Sequence, residues 1–300
     1  MKIDRESSLA ELPGWKAALE QIAGPLKAAV QHVAFANGIS DRDLEKQLLL
    51  HLPRFSPAEL AEPGRIRAEA ERLAERALRL RSPFAHWADQ ARIPTFQKAA
   101  VQAAPCSDDA ARVVHERFHY LGSFRAGHHL ALFAAETAAV PMALVTLSPM
   151  DISLLHPLYP TARDLRKVRV VSRLFAFDWA PRNSVSYLLG QASKWIRERW
   201  PEVGTLLTYL NPNLGFSGAS YEASNWSEFV EVPARYAYLD GNYITFRNLM
   251  SLPAARRPNA CYSQYQLAPL KIFRYQIRPR PGLHRETSKP ETTHVLAEAR

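Results

Sequence analysis

The sequence predicts a mixed α/β (α+β) domain, a central sheet with flanking helices, preceded by a small all-helical region. Three observations carry this reading. Before about residue 95 the apolar residues fall at helical spacing with no strand-like run. From about residue 107 strand-like runs and amphipathic helices alternate. The 300-residue chain is 47% hydrophobic and 10% aromatic, enough to bury one large core.

Taken in order, residues 8–37 have helical periodicity that Pro13 and Gly24 are expected to break, and SDRDLEKQLLLHL opens with Ser40 as an N-cap. FANGISDRDLEKQL has the outline of a helix-turn-helix with Gly38 at the turn. Asp41, Asp43 and Glu45 near the start of its second helix would repel phosphate, which favours a structural helix pair. Residues 56–81 alternate acid and base at three- and four-residue separations, the pattern of an exposed helix. Residues 1–94 therefore read as a helical appendage that can be removed without unfolding the rest. SDDAARVVHERFHYLG is a capped helix; HHLALFAAE, AVPMALVTLSP and LRKVRVVSRLFAF are three strands. APRNSVSYLLGQASKWIRERW is a turn plus amphipathic helix, GTLLTYLNP a further strand, and SGASYEASNW a short helix. The runs FVEVPARYAYL, NYITFRNL and YQLAPLKIFRYQI are strand-like and complete a domain over 95–278. Residues 279–300 lack periodicity and read as a basic, flexible tail.

Charge narrows the partner. Residues 254–300 carry nine basic and three acidic side chains, six of the net +9. A local excess of this kind fits a polyanion, nucleic acid before membrane, although a solubilising tail has the same composition. No apolar run approaches the ~20 residues of a membrane span, and the N-terminal stretch has acids where a secretory signal needs apolar residues. A cytoplasmic protein is expected. Cys106 and Cys261 are too few for a disulfide framework or a four-cysteine zinc site.

Three segments could carry chemistry. His115-Glu116-Arg117-Phe118-His119 satisfies H-E-x-x-H, which on a helix places two imidazoles beside a glutamate and suggests a zinc metallopeptidase. Arg117 beside the metal and Arg125 where an extended motif wants a third histidine weaken it; His128 and His129 sit on a strand. The crossover Phe177–Ser186 is a turn feeding a helix, whose first N–H groups and dipole favour an anion such as a pyrophosphate, with Asn183, Ser184 and Ser186 at hand. Residues 208–226 run from a strand into a loop rich in turn residues, where α/β proteins build sites; Asn211, Tyr221 and Asn225 could orient a reactant there.

The series FHYLG, VVSRLFAFDWAPRNSVSYLLG and LLTYLNPNLGFSGASYEASNW resembles the Mom family of phage DNA-modification proteins, and more distantly the Druantia-type domain, over about residues 110–277. The resemblance implies a GNAT-like acyltransferase fold and a transferase that modifies a nucleobase, adenine N6, in double-stranded DNA, using acetyl-CoA or a related acyl-CoA. It implies site roles for His119 and Tyr120, for the strand arginine Arg173, for the crossover serine Ser186 (or Ser184) and for Tyr221. It also implies Asp at the position of Asn211, which cannot serve as a carboxylate base, leaving Asp178 as the nearest acid. Arg173 with Asn183, Ser184 and Ser186 would hold the cofactor; Tyr120, Asn211 and Tyr221 would face the base. An iron centre at His119, Tyr120 and Tyr221 is a further implication. Base flipping would draw on Trp179, Trp226 and the basic C-terminal segment. A catalytically altered DNA-binding or anti-phage defence component is the competing expectation.

Overall fold

A computed structural model describes residues 12–93, 95–134, 140–150 and 165–277. The expected basic tail, 279–300, lies outside them. The chain opens with helix α1 (Trp15–Asn37), which runs unbroken through Gly24 and Pro25. Its buried face, including Ile22, Leu26, Ala29, Val30 and Val33, spans both sides of that dipeptide and outweighs the missing N–H bond. Gly38 ends it in the left-handed conformation (φ 61°). Helix α2 (Asp41–His51) is capped by Ser40, whose hydroxyl accepts the Asp43 N–H.

Residues 56–81 divide into α3 (Pro57–Ala61) and α4 (Arg65–Arg81), with Gly64 at φ 81° between them. The expectation of one exposed helix is corrected in two respects. The turn separates it, and α4 buries Ile66, Ala70, Leu73 and Ala74. Glu69 is buried with them because Arg54 and Arg72 each approach it to 2.7 Å. A short helix, α5 (Ala85–Ala88), leads toward the sheet.

The sheet has seven strands in the order β1 (Val101–Pro105), β2 (His128–Ala134), β3 (Pro141–Pro149), β4 (Val168–Ala176), β5 (Thr205–Leu210), β10 (Leu270–Gln276), β6 (Ser227–Val232). All neighbours are antiparallel except β4 and β5, which are parallel and joined by helix α7 (Ser184–Arg199). Between β1 and β2 lie α6 (Asp108–Val113) and a π-helical turn, Val114–Phe118. Helix α8 (Ala219–Glu222) follows β5. A second sheet, β8 (Asn242–Ile244), β7 (Ala237–Leu239) and β9 (Cys261–Tyr262), sits with α9 (Phe246–Ser251), which occupies part of the expected strand NYITFRNL. Thr245 caps α9 by accepting the Asn248 N–H.

The largest core lies beneath α7, where Leu188, Ala192 and Ile196 meet Leu132, Met142 and Val145 of the sheet. A second core joins α1, α2 and α4 to Leu214, Tyr236, Tyr238 and Tyr265. The helical region is therefore not the removable appendage expected: it shares its interior with the loops and small sheet that follow β5, and the Tyr238 hydroxyl donates to Leu50 O at 3.0 Å across that seam.

Candidate functional site

Strands β4 and β5 pair only over Val168–Val171 against Thr205–Thr208. Beyond Val171, β4 runs on to Ala176 and β5 to Leu210 without pairing each other, and a cleft of about 1070 Å³ opens there. It is lined by residues 171–178 and 180–186, by 208–210, by 215–221 and by His119 and Tyr120; α2 closes the far side.

Arg173 reaches this cleft because β4 carries one extra residue. Thr146 of β3 faces Arg173 whereas Leu147 faces Val171, so Ser172 is a bulge and the alternation of faces resets after it. The Ser172 hydroxyl is absorbed by Ser148 at 2.8 Å. The Arg173 guanidinium donates to Ser123 O (3.2 and 3.3 Å), to Ser123 Oγ (3.0 Å) and to Ser172 O (2.7 Å). All four acceptor contacts are neutral, and no carboxylate among the described residues pairs with it. Burial lowers its pKa from the ordinary value. A half-buried cation held by neutral acceptors is arranged to meet an anion.

The crossover helix begins beside it. Asn183 takes the left-handed conformation (φ 76°), and the first i→i−4 bond of α7 is made by the Tyr187 N–H to Asn183 O. The preceding N–H groups of Val185 and Ser186 have no intrahelical acceptor, and both residues line the cleft. Ser184 is buried and its hydroxyl donates to Pro181 O at 2.7 Å, which ties the turn to the helix. The Ser186 hydroxyl donates to Asn183 O at 3.1 Å.

On the other side, Tyr120 stacks on His119 with ring centroids 4.4 Å apart. Burial, with the nearby Arg173 charge, holds the His119 pKa well below the ordinary value and keeps the imidazole neutral, and the Leu121 N–H donates to its Nδ1 at 3.2 Å. Burial raises the Tyr120 phenol above its ordinary range and pushes Tyr221 up to about 12, so both are neutral hydrogen-bonding groups. The Tyr221 and Thr208 hydroxyls are hydrogen-bonded at 3.1 Å.

Asn211 is not among the lining residues. Its Nδ2 donates to the Tyr236 hydroxyl at 2.7 Å, and its Oδ1 accepts from the Asn213 backbone and side chain at 3.2 and 3.0 Å. These bonds pin the loop that carries Phe216 into the cleft. The other expected residues, Arg173, Asn183, Ser184, Ser186, His119, Tyr120 and Tyr221, are brought together.

Residues 100–290 match the family model of the Mom protein family. The chain belongs to the Mom protein family. No curated protein matches it. Among solved structures it is similar to a spermidine N-acetyltransferase from Vibrio cholerae in complex with CoA and spermine, at 7% identity and a TM-score of 0.38 over 60% of this chain and 97% of that one. It is also similar to the ribosomal-protein-S18-alanine N-acetyltransferase from Escherichia coli, at 12% identity and a TM-score of 0.37 over 61% of this chain and 99% of that one. The expected mixed sheet with flanking helices is present in this Mom family protein.

Two metal readings are corrected. The HERFH segment is not one face of an α-helix, because residues 114–118 form a π-helical turn and His119 is extended (ψ 137°). His115 has both ring nitrogens in use: the Arg125 N–H donates to Nδ1 (3.3 Å), which places the proton on Nε2, and that N–H donates to Thr146 Oγ1 (2.9 Å). The Thr146 hydroxyl then donates to His129 Nδ1 at 2.9 Å, and Glu116 turns outward to Arg112. Among the described residues no three His, Cys, Asp or Glu groups are placed to hold a metal ion. The iron set finds no support either, since His119 Nδ1 and the Tyr221 hydroxyl already have protein partners and no carboxylate joins them. Trp179 and Trp226 are 5% and 4% exposed and unavailable for base stacking; Trp179 Nε1 donates to Trp87 O.

Within the Mom family span, Ser123 is the partner of Arg173 that sequence reasoning missed. It lies fifty residues before Arg173 and has no motif around it. Outside that span, Ser40, Asp41, Arg42 and Lys46 of the α2 segment line the same cleft, and nothing in an alternating-charge helix distinguishes them from a solvated face.

Proposed function

We propose that this protein is a Mom-like transferase that modifies adenine N6 in double-stranded DNA with a group carried by acetyl-CoA or a related acyl-CoA. One observation carries the proposal: the Arg173 guanidinium, without a carboxylate partner among the described residues, and the open N–H groups at the start of α7 face one cleft where the sheet splits. Both features favour an anion, and together they suit the pyrophosphate of a CoA-type cofactor. When bound, that cofactor would supply an activated acyl carbon.

The chain's own groups bind and orient. Arg173 and the Val185 and Ser186 N–H groups hold negative charge, and Ser123 keeps the guanidinium aimed. Tyr120 and Tyr221, neutral at physiological pH, offer phenolic hydrogen bonds to a base edge on the opposite side. The neutral His119 ring supports Tyr120 from behind. Asp178, more than half exposed at the cleft rim, is the candidate proton acceptor. Reaching N6 requires the adenine to leave the stack, a cost of a few kcal/mol that phosphate contacts at the rim must offset. No helix among the described residues is long and apolar enough to cross a membrane.

The test is mass spectrometry of nucleosides from DNA co-expressed with the protein. The parent should yield a modified deoxyadenosine and Arg173→Ala none, with the melting temperature of the variant near that of the parent. An Arg173→Ala protein that modifies DNA like the parent, or one that unfolds, would remove the proposed anchor. DNA binding without any product would instead support the altered DNA-binding or defence component, a reading favoured by the use of Asn211 as a loop pin in place of a carboxylate.

A further inference from the structure

The cleft has a second cationic wall, and it comes from outside the residues that match the family. Helix α2 places Arg42 and Lys46 along it. Lys46 sits with its ammonium 4.6 Å from the centre of the Phe216 ring, and no carboxylate pairs with it among the described residues. Burial lowers its pKa from the ordinary lysine value. Arg42 reaches Asp178 across the rim at 3.7 Å, both side chains more than half exposed, so the contact is loose and exchangeable. Counting Arg92, Arg173 and Arg182, five cations line the cleft against two carboxylates, Asp41 and Asp178.

This wall is rigidly mounted. Gln47, next to Lys46, donates its Nε2 to Tyr120 O at 3.0 Å, which ties α2 to the His119–Tyr120 side of the site. Of the acids expected to repel phosphate, Asp43 and Glu45 do not line the cleft; Asp43 is held by Arg81 at 3.0 Å, and the same Arg81 donates to Arg117 O at 2.9 Å. At the far end of the helix the Tyr243 N–H donates to His51 Nε2 at 3.2 Å. Bonds at three points along eleven residues fix the helix that carries Lys46 and Arg42. A helix already fixed against the site presents both cations without backbone ordering when an anion binds.

We propose that Lys46, assisted by Arg42, grips the phosphodiester of the acceptor strand, so that α2 makes a cleft for an acyl cofactor into one that also admits nucleic acid. The two anions are thereby divided: Arg173 and the start of α7 serve the cofactor, and α2 serves the phosphate beside the target nucleotide. The proposal rests on the nucleic-acid reading given above and assigns to it a substrate-binding surface.

The experiment measures affinity of the full chain for an adenine-containing duplex against salt concentration, and for coenzyme A at one salt, in the parent, Lys46→Gln and Lys46→Arg. Each phosphate neutralised contributes about 0.9 to the slope of log affinity on log salt. Lys46→Gln should lower the slope by about that amount and weaken duplex binding about five- to tenfold at low salt. Coenzyme A affinity should be unchanged, and Lys46→Arg should restore both slope and affinity. A Lys46→Gln protein with the parental slope overturns the clamp while leaving the nucleic-acid reading in place. Loss of coenzyme A affinity with unchanged duplex binding assigns Lys46 to the cofactor and also overturns it. A parent that binds coenzyme A but no duplex overturns the nucleic-acid reading itself, and the clamp with it.

Discussion

The two bodies that meet at the cleft bury polar groups in opposite ways. The sheet body buries them as a chain of neutral hydrogen bonds, His115 to Thr146 to His129, with Ser148 and Ser172 alongside. The helical body buries charge, placing Glu69 between Arg54 and Arg72. A neutral chain tolerates the low dielectric beneath a sheet and keeps the bulge that aims Arg173, whereas a paired charge needs arginines from two elements and so fastens α4 to the segment after α2. The helices are held to one another by ions and to the rest by apolar burial, and the site is shaped by uncharged contacts.

The largest expected effect comes from separating the bodies. Removing residues 1–94 exposes Tyr236, Tyr238 and Tyr265, now at most 3% exposed, and strips one wall from the cleft. The fragment 95–300 should be molten, with lost near-ultraviolet circular dichroism and strong dye binding; a fragment that stays sharply folded would show that the shared core is dispensable. Cutting the charge staple is smaller. Glu69→Ala leaves two partly buried arginines unpaired and should lower unfolding free energy by about 3 kcal/mol, read by urea denaturation. On the sheet side, a β-carbon at Gly127 would lie 2.5 Å from Leu147 O, so Gly127→Ala must move the backbone beside the Ser148 contacts. It should cost about 2 kcal/mol and disturb Arg173 function more than Glu69→Ala does.

The bodies also share an acid sensitivity. Burial lowers His51, in the helical seam, to about 4 and His115, under the sheet, to about 3, from an ordinary value of 6.5. The unfolded chain therefore takes up these protons first. Their contribution is complete above pH 6.5 and is lost as the pH falls toward 4 and then 3, on the order of 3 kcal/mol for His51 and about 5 kcal/mol for His115. Urea midpoints against pH should fall over that window, and His51→Gln should flatten its upper part. The smallest effect is at the crossover: Ser186→Ala should weaken coenzyme A by about 1 kcal/mol or less, because its hydroxyl already donates to Asn183 O.

Much of the architecture was legible because it repeats locally. Ser40 capped α2, the long apolar runs became β2 to β5, and the turn at Asn183 opened a helix, all within spans where periodicity and capping act. Strand β1 was missed because VQAAP is short and has little β-branching, and NYITFRNL was misread because the Thr245 cap outweighed its β-branched residues. The HERFH match failed for a related reason: five letters cannot report a π-helical turn.

By itself the sequence determined the order of elements, the helical start followed by alternating strands and helices, and the placement of Arg173 on a strand before a helix. Those features follow from spacing and capping, which act over a few residues. Tertiary structure alone decided that Ser172 bulges, that β4 and β5 part beyond Val171, that Ser123 holds the guanidinium and that Asn211 pins a loop. It alone set Lys46 of α2 across from Arg173, because contacts between residues more than a hundred positions apart depend on how cores close, and hydrophobic burial carries no address in the chain.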